Sequence, residues 1–352
     1  MSRKRTERLP LCLGFPPYAA SSYLDRLQRI DSCIDPLELP VDPDSDWITQ
    51  SPGDPFDEPP SWAKGVAQER LRVLEQAEVL IALHAPRDLM RLAPGLRWIQ
   101  GIGAGVEQFV GAGVSRDRVV VTNASGLSSG SMAEFVIGRL LQIWKHFRAM
   151  DQHQRDHAYT RSYGRTFAGS TIGIVGMGSI GSAVAVRARA LGLEVLGMKR
   201  SHQPGETSDV ADELFGPTQL HAMLARCDAV VVAAPATPET EHLIDAAACA
   251  AMRSGAVLVN VARGSLVDES ALAASLRSGH LGAAALDVFE EEPLPADSEL
   301  WDLPTAYISA HSSVSTDRYI DDVFDLFEEN LARYIAGESL RNVVDMQALG
   351  FK

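Results

Sequence analysis

The chain has 352 residues, 46% of them hydrophobic and 22% charged, with a formal net charge of −14. That length exceeds one ordinary hydrophobic core and points to two domains, in the composition range of a soluble globular protein. An acidic chain without a basic stripe is a poor nucleic-acid binder, because phosphate contacts need clustered Lys and Arg, and no run of about 18 apolar residues is there to span a membrane.

The opening MSRKRTER is basic, but no apolar stretch follows it, so no secretory signal is expected. Residues 9–40 alternate short apolar runs with helix-like stretches. Residues 42–65, rich in Pro, Asp and Ser, have no period and read as a long surface loop. AEVLIAL (77–83) is a buried strand, RDLMRLAP (87–94) a short helix, LRWIQGIG (96–103) a strand, and RVVVTNASG (118–126) closes the first part. In SSGSMAEFVIGRLLQIWKHFRAM (128–150), apolar residues at helical spacing predict one buried helix with Ser128 or Ser129 as its N-cap. From 171 on, TIGIV, EVLGM, AVVVAAP, AVLVNVA, GAAALDV and AYISAH alternate with helical patterns, as in a doubly wound parallel sheet. DDVFDLFEENLARYIAGESL is a final amphipathic helix. Cys12, Cys33, Cys227 and Cys249 are scattered and form no C-x-x-C pair, so reduced thiols in a cytoplasmic protein and no metal site are expected.

Within TIGIVGMGSIGSAVAVRARALG a strand runs into Gly176-x-Gly178-x-x-Gly181 and then a helix, with a second strand after it. This is the setting a dinucleotide loop requires. Gly176 makes the tight turn, Gly178 lets a pyrophosphate approach, Gly181 lets helix and strand pack, and the helix start, Ser179 and Ile180, offers N–H groups to the anion. GIGAGV (101–106) lacks the third glycine's spacing, and no amphipathic helix is expected directly after it. The acidic residue that normally meets the ribose 2′-OH of NAD is missing. Lys199, Arg200 and Ser201 stand at the tip of the second strand instead. Two cations suit the 2′-phosphate of NADP(H); the alternative is a pair of solvated loop charges beside an NAD site.

Three further motifs end predicted strands, where open α/β sheets bind ligands. LVNVARGSLVDE carries Asn260 and Arg263, ALDVFEEEPLP carries Asp287 and Glu292, and AYISAHSS carries His311. Taken singly, each reads as a turn, a solvated acidic loop or a structural histidine. In this order, downstream of the Gly loop, the set resembles the D-2-hydroxyacid dehydrogenase family, which includes glyoxylate/hydroxypyruvate reductases and phosphoglycerate dehydrogenase. The resemblance runs from about residue 77 to the end of the chain and includes PATPETEHLI and the ENLARYIAGESLRNVV tail.

The resemblance implies two Rossmann-like α/β domains with the active site in the cleft between them. The substrate domain would comprise 1–123 and 313–352, and the cofactor domain 124–312. It implies a cytoplasmic homodimer that binds a small 2-keto or 2-hydroxy acid and transfers hydride with NADP(H), NAD(H) being the other possibility. His311 would be the acid–base group, Glu292 its partner, and Arg263 the grip on the substrate carboxylate, helped by backbone N–H groups of Ala104 and Gly105 in an anion nest. Asp287 would bind the nicotinamide carboxamide, with Pro235, Thr240 and Ala262 lining the cofactor groove. Ala310 stands where the family often has Pro, and Phe135 where His is common. Glu292 replaces the Gln of the related formate dehydrogenases, which disfavours formate oxidation. Two other readings are NAD-linked oxidation of a 2-hydroxy acid in biosynthesis and a cofactor-sensing, corepressor-like binding protein.

Overall fold

The computed structural model describes residues 8–39, 64–86, 89–114, 117–315 and 317–345. Of the loop expected over 42–65, residues 42–63 lie outside the described residues, and residues 64 and 65 already belong to the helix Lys64–Gln76. The chain forms two compact units, 1–127 with 317–352, and 128–316. Both boundaries fall four residues beyond those expected from sequence, for local reasons. Ala124 donates its N–H to the Gly103 carbonyl, and Leu127 packs on the first unit's core. Ser313 donates its N–H to Asp287, and Val314 packs on the second unit's core.

In the first unit five strands make one parallel sheet: β1 (Leu9–Gly14), β2 (Ile34–Glu38), β3 (Val79–Ala82), β4 (Trp98–Gly101) and β5 (Val120–Thr122), in the order β2-β1-β3-β4-β5. The helix Tyr319–Ala336 returns to cover one face, burying Val323, Phe324, Phe327 and Leu331 against Leu9, Leu11 and Trp98. It stops at Gly337, which caps it at φ 72°. Its Asn330 donates to Gln100 Oε1 at 3.2 Å, and Gln100 Oε1 also accepts from Thr122. Every member of that buried network therefore has a partner. A short helix, Glu107–Gly111, directly follows GIGAGV.

The second unit holds β6 (Thr171–Val175), β7 (Glu194–Met198), β8 (Glu213–Phe215), β9 (Ala229–Val232), β10 (Val257–Asn260), β11 (Ala283–Leu286) and β12 (Ala306–Ile308). All pair in parallel, in the order β12-β11-β10-β9-β6-β7-β8. Six of these strands were legible as apolar runs. The seventh, β8, is a three-residue edge strand with an exposed Glu213, too short to show a pattern. Alternate residues feed the two faces: Val175, Val230, Val232 and Leu258 on one, Ile172, Ile174, Val231 and Val259 on the other. Burial on both faces explains the continuous Val/Ile/Leu runs. Chain direction across the sheet reverses between β6 and β9, the switch point at which such sheets bind ligands.

The helix expected over 128–150 is two helices. Ser129–Trp144 is buried through Met132, Val136, Leu140 and Trp144. The chain then breaks at His146, which adopts φ 59°, and Phe147–Arg155 buries none of its residues. Ser128 occupies the N-cap position but makes no side-chain capping bond.

Candidate active site

The Gly loop leaves β6 at the switch point and is stitched to the neighbouring strand by N–H bonds from Gly176 and Met177 to the Met198 carbonyl. Gly176 sits at φ 102°, and a side chain there would strike the backbone of Ala233 and Ala234. At Gly181 a Cβ would lie 2.0 Å from the Gly176 carbonyl oxygen, whereas at Gly178 it would meet nothing within 4 Å. Gly178 is also the N-cap of the helix Ser179–Ala190. Open space over the first turn of a helix, walled by close-packed backbone, fits a dinucleotide pyrophosphate. Ser179 is exposed at that first turn, and Ile180 packs inward on the core.

Lys199 and Arg200 follow β7 directly, as expected, with Ser201 exposed beside them. Lys199, however, is already engaged. Its Nζ makes a short ion pair with Glu206, whose other oxygen accepts the Gln203 N–H at 3.1 Å. Arg200 is exposed, and its charge reaches Glu239, which lies in the loop after β9. In that same loop the Thr240 hydroxyl donates to the Pro235 carbonyl at 2.8 Å and accepts the Thr237 N–H, bracing the turn.

The turn after β10 presents Arg263. Asn260 shapes it, accepting the Ala262 N–H through Oδ1 and donating through Nδ2 to the Arg263 carbonyl. Gly264 comes next, and here a Cβ would lie 1.8 Å from the Phe289 carbonyl carbon. Only glycine lets the Arg263 turn lie backbone-to-backbone against the segment that carries Glu292.

That segment is ordered by its own acids. Glu292 Oε1 accepts the Phe289 N–H at 3.0 Å. Glu290 and Glu269 exchange backbone-to-side-chain bonds at 3.1 and 2.7 Å, and Glu290 also meets His242 at 3.1 Å. The acidic run is therefore a brace for Glu292. Glu292 Oε2 lies 2.8 Å from His311 Nδ1. Arg263 is close enough for its charge to act on both.

His311 rests on a turn held by Asp287, which is 1% exposed. Asp287 accepts the Ser309 hydroxyl at 2.7 Å and the Ser312 N–H at 2.9 Å on one oxygen, and the Ser313 N–H at 3.0 Å on the other. Its carbonyl takes the His311 N–H. The carboxylate expected to meet a nicotinamide carboxamide thus spends three acceptor positions on the chain itself. Ser309 and Glu269 were missed in the sequence, where nothing local marks them.

The hydrogen bond to Glu292 raises the His311 pKa above the ordinary imidazole value, against burial and the Arg263 charge. Burial pushes the Glu292 pKa up, but the hydrogen bonds from His311 and Phe289 and the two nearby cations outweigh it, so the carboxyl stays below its usual range.

In the first unit the Ala104 carbonyl accepts from Asn123 and the Gly103 carbonyl from Ala124. Among the described residues nothing accepts from the N–H of Ala104 or Gly105. No glycine of GIGAGV appears among the positive-φ residues. Among the described residues no group of side chains could hold a metal ion, and no helix is long and apolar enough to cross a membrane.

A family profile described as D-isomer specific 2-hydroxyacid dehydrogenase, NAD binding domain, matches residues 137–313. The chain belongs to the D-isomer specific 2-hydroxyacid dehydrogenases. It is 34% identical to the D-3-phosphoglycerate dehydrogenase of Mycobacterium tuberculosis over 81% of this chain and 54% of that protein. The chain thus spans about half the length of the first curated relatives it matches. It is 32% identical to glyoxylate/hydroxypyruvate reductase B of Yersinia pestis, over 80% of this chain and 88% of that one. Its fold matches the NADPH-dependent glyoxylate/hydroxypyruvate reductase of Sinorhizobium meliloti, solved with NADP and sulfate, at TM-score 0.78 and 26% identity, over 98% and 100% of the two chains. The matched residues include the Gly loop and the three strand ends after which Arg263, Glu292 and His311 stand.

Replacing Glu292 by Gln removes the largest cause that raises the His311 pKa. The pKa should fall, so any step that needs the protonated imidazole should fade at a lower pH than in wild type. The kcat/KM profile of the free enzyme reads this directly; an unchanged alkaline limb would detach Glu292 from the titration of His311.

Proposed function

We propose that the chain reduces a small 2-keto acid, glyoxylate or hydroxypyruvate being the size class, with NADP(H) as the hydride source. The observation that carries this reading is the Arg263–Glu292–His311 set, carried past three neighbouring strand ends and braced by Asn260, Asp287 and Glu269. When bound, the nicotinamide supplies the hydride that goes to C2 of the keto acid. His311, protonated and held through Nδ1 by Glu292, uses its other ring nitrogen to give a proton to the carbonyl oxygen. The imidazole is left neutral and the alcohol is complete. Arg263 holds the carboxylate and polarises the carbonyl, and in the first unit the N–H groups of Ala104 and Gly105 would be donors to an anion. Ser179 and Ile180 at the helix start would hold the pyrophosphate, Lys199, Arg200 and Ser201 the ribose side, and Pro235, Thr240, Ala262 and Asp287 the nicotinamide side. The S. meliloti enzyme named above supports the NADP assignment.

NAD-linked oxidation of a 2-hydroxy acid is the second reading. It is favoured by the 34% identity to a phosphoglycerate dehydrogenase and by the acid already paired to Lys199. The paired His311 and Glu292 support an enzyme over a cofactor-sensing binding protein.

We also propose a cytoplasmic homodimer. The buried thiols of Cys12, Cys227 and Cys249 are in no disulfide, which suits a reducing compartment, and burial pushes Cys12 and Cys227 up to about 12 and Cys249 to about 11. Phe147, Met150, Tyr159 and Tyr163 leave the second unit an exposed apolar and aromatic surface for a second copy. Sedimentation at micromolar concentration should give twice the chain mass; a single-chain mass would remove the dimer.

Arg263→Ala should cost roughly 3–5 kcal/mol in kcat/KM for keto-acid reduction, about 150- to 5,000-fold, while cofactor affinity barely changes. The assay runs glyoxylate and hydroxypyruvate against both reduced cofactors, and near wild-type turnover would take Arg263 out of the mechanism. Arg200→Ala should weaken NADPH binding about 5- to 30-fold, the range for a charge-assisted pair at a solvent-screened position, and leave NADH affinity almost unmoved. Equal loss of both cofactors would make Arg200 an ordinary loop charge.

A further inference from the structure

The loop between β7 and β8 contains its own competitor for the cofactor's phosphate. Lys199 Nζ is ion-paired to Glu206, which accepts the Gln203 N–H as well. The His202 Nδ1 lies 3.6 Å from the second Glu206 oxygen and is buried without a hydrogen-bond partner. The hydrogen bond from Lys199, followed by that from Gln203, pulls the Glu206 pKa below the carboxylate range, so the acid is charged at neutral pH. Arg200, on the same strand tip, has the charge of Glu239 within reach. Two cations that suit a dianionic phosphate therefore share their surroundings with two carboxylates.

We infer that Glu206 is a specificity-determining residue that restrains the preference for NADP(H) by holding Lys199. This rests on the reading that Lys199 and Arg200 face the 2′-phosphate. A phosphate oxygen within ion-pair reach of Nζ would stand beside the Glu206 carboxylate, which already occupies that ammonium. Binding would then require Lys199 to leave Glu206 or to be shared, with two like charges brought close together. NADH carries only a hydroxyl at this position and escapes the repulsion. The acid thus acts only on the difference between the cofactors.

The test measures NADPH and NADH dissociation constants by protein fluorescence for wild type, Glu206→Gln, Lys199→Ala and Arg200→Ala. Glu206→Gln keeps the shape and the Gln203 contact but loses the charge. It should tighten NADPH about 3- to 30-fold and move NADH less than twofold, and the gain should shrink as salt rises. Weaker NADPH binding in Glu206→Gln would mean that Glu206 only props Lys199 in place, and would overturn the inference, as would equal changes for both cofactors. If Arg200→Ala and Lys199→Ala lower NADPH affinity selectively while Glu206→Gln does nothing, the inference falls and the NADP reading stands. If Arg200→Ala and Lys199→Ala leave the NADPH-to-NADH ratio unchanged, the NADP reading itself falls.

Discussion

The buried carboxylate of Asp287 holds the turn from which the His311 imidazole projects. It stands one residue past β11, with the Ser309 hydroxyl and the Ser312 and Ser313 N–H groups on its oxygens and the His311 N–H on its carbonyl. His311 itself adopts φ 46°, a conformation that costs a non-glycine residue energy and persists only where its surroundings enforce it. Four bonds to one residue supply that enforcement. Without them the imidazole would have no fixed relation to Glu292.

The second requirement is the approach of two backbone segments. Gly264 lies against Phe289 and Glu290 with no room for a side chain, which sets the Arg263 turn beside the Glu292 segment. Charge then organises the set. Glu292 raises the affinity of His311 for a proton and Arg263 lowers it, so the imidazole is tuned by two opposed neighbours. The Glu269–Glu290 bracket matters for the same reason, since it fixes the loop from which Glu292 reaches the ring.

At the cofactor loop the balance is less one-sided than a strand ending in Lys-Arg suggests. Each cation has an acid within reach, one through a direct ion pair and one through its field. Cofactor choice in such a loop depends on net local charge, not on the presence of basic residues alone.

The sequence by itself determined the second unit's strands, the dinucleotide loop and the three catalytic candidates. Strands buried on both faces must be continuous apolar runs, and functional side chains must follow their ends, so GIVGMG, ARGS, LDVF and SAH could be read in place. It did not determine β8, whose three residues at the sheet edge carry no period, or the break at His146, where nothing in KHF announces a left-handed residue. Nor did it determine how the charged groups pair. Glu206 meets Lys199 only because the PGE turn folds back, and Asp287 meets Ser309 to Ser313 only because β11 and β12 lie side by side. Such pairings depend on how a turn folds back or which strands lie side by side, which propensity and periodicity do not specify. The tertiary structure alone decided that the acidic run at 290–292 is a brace, that one of the two cations is already held, and that a buried aspartate holds the histidine.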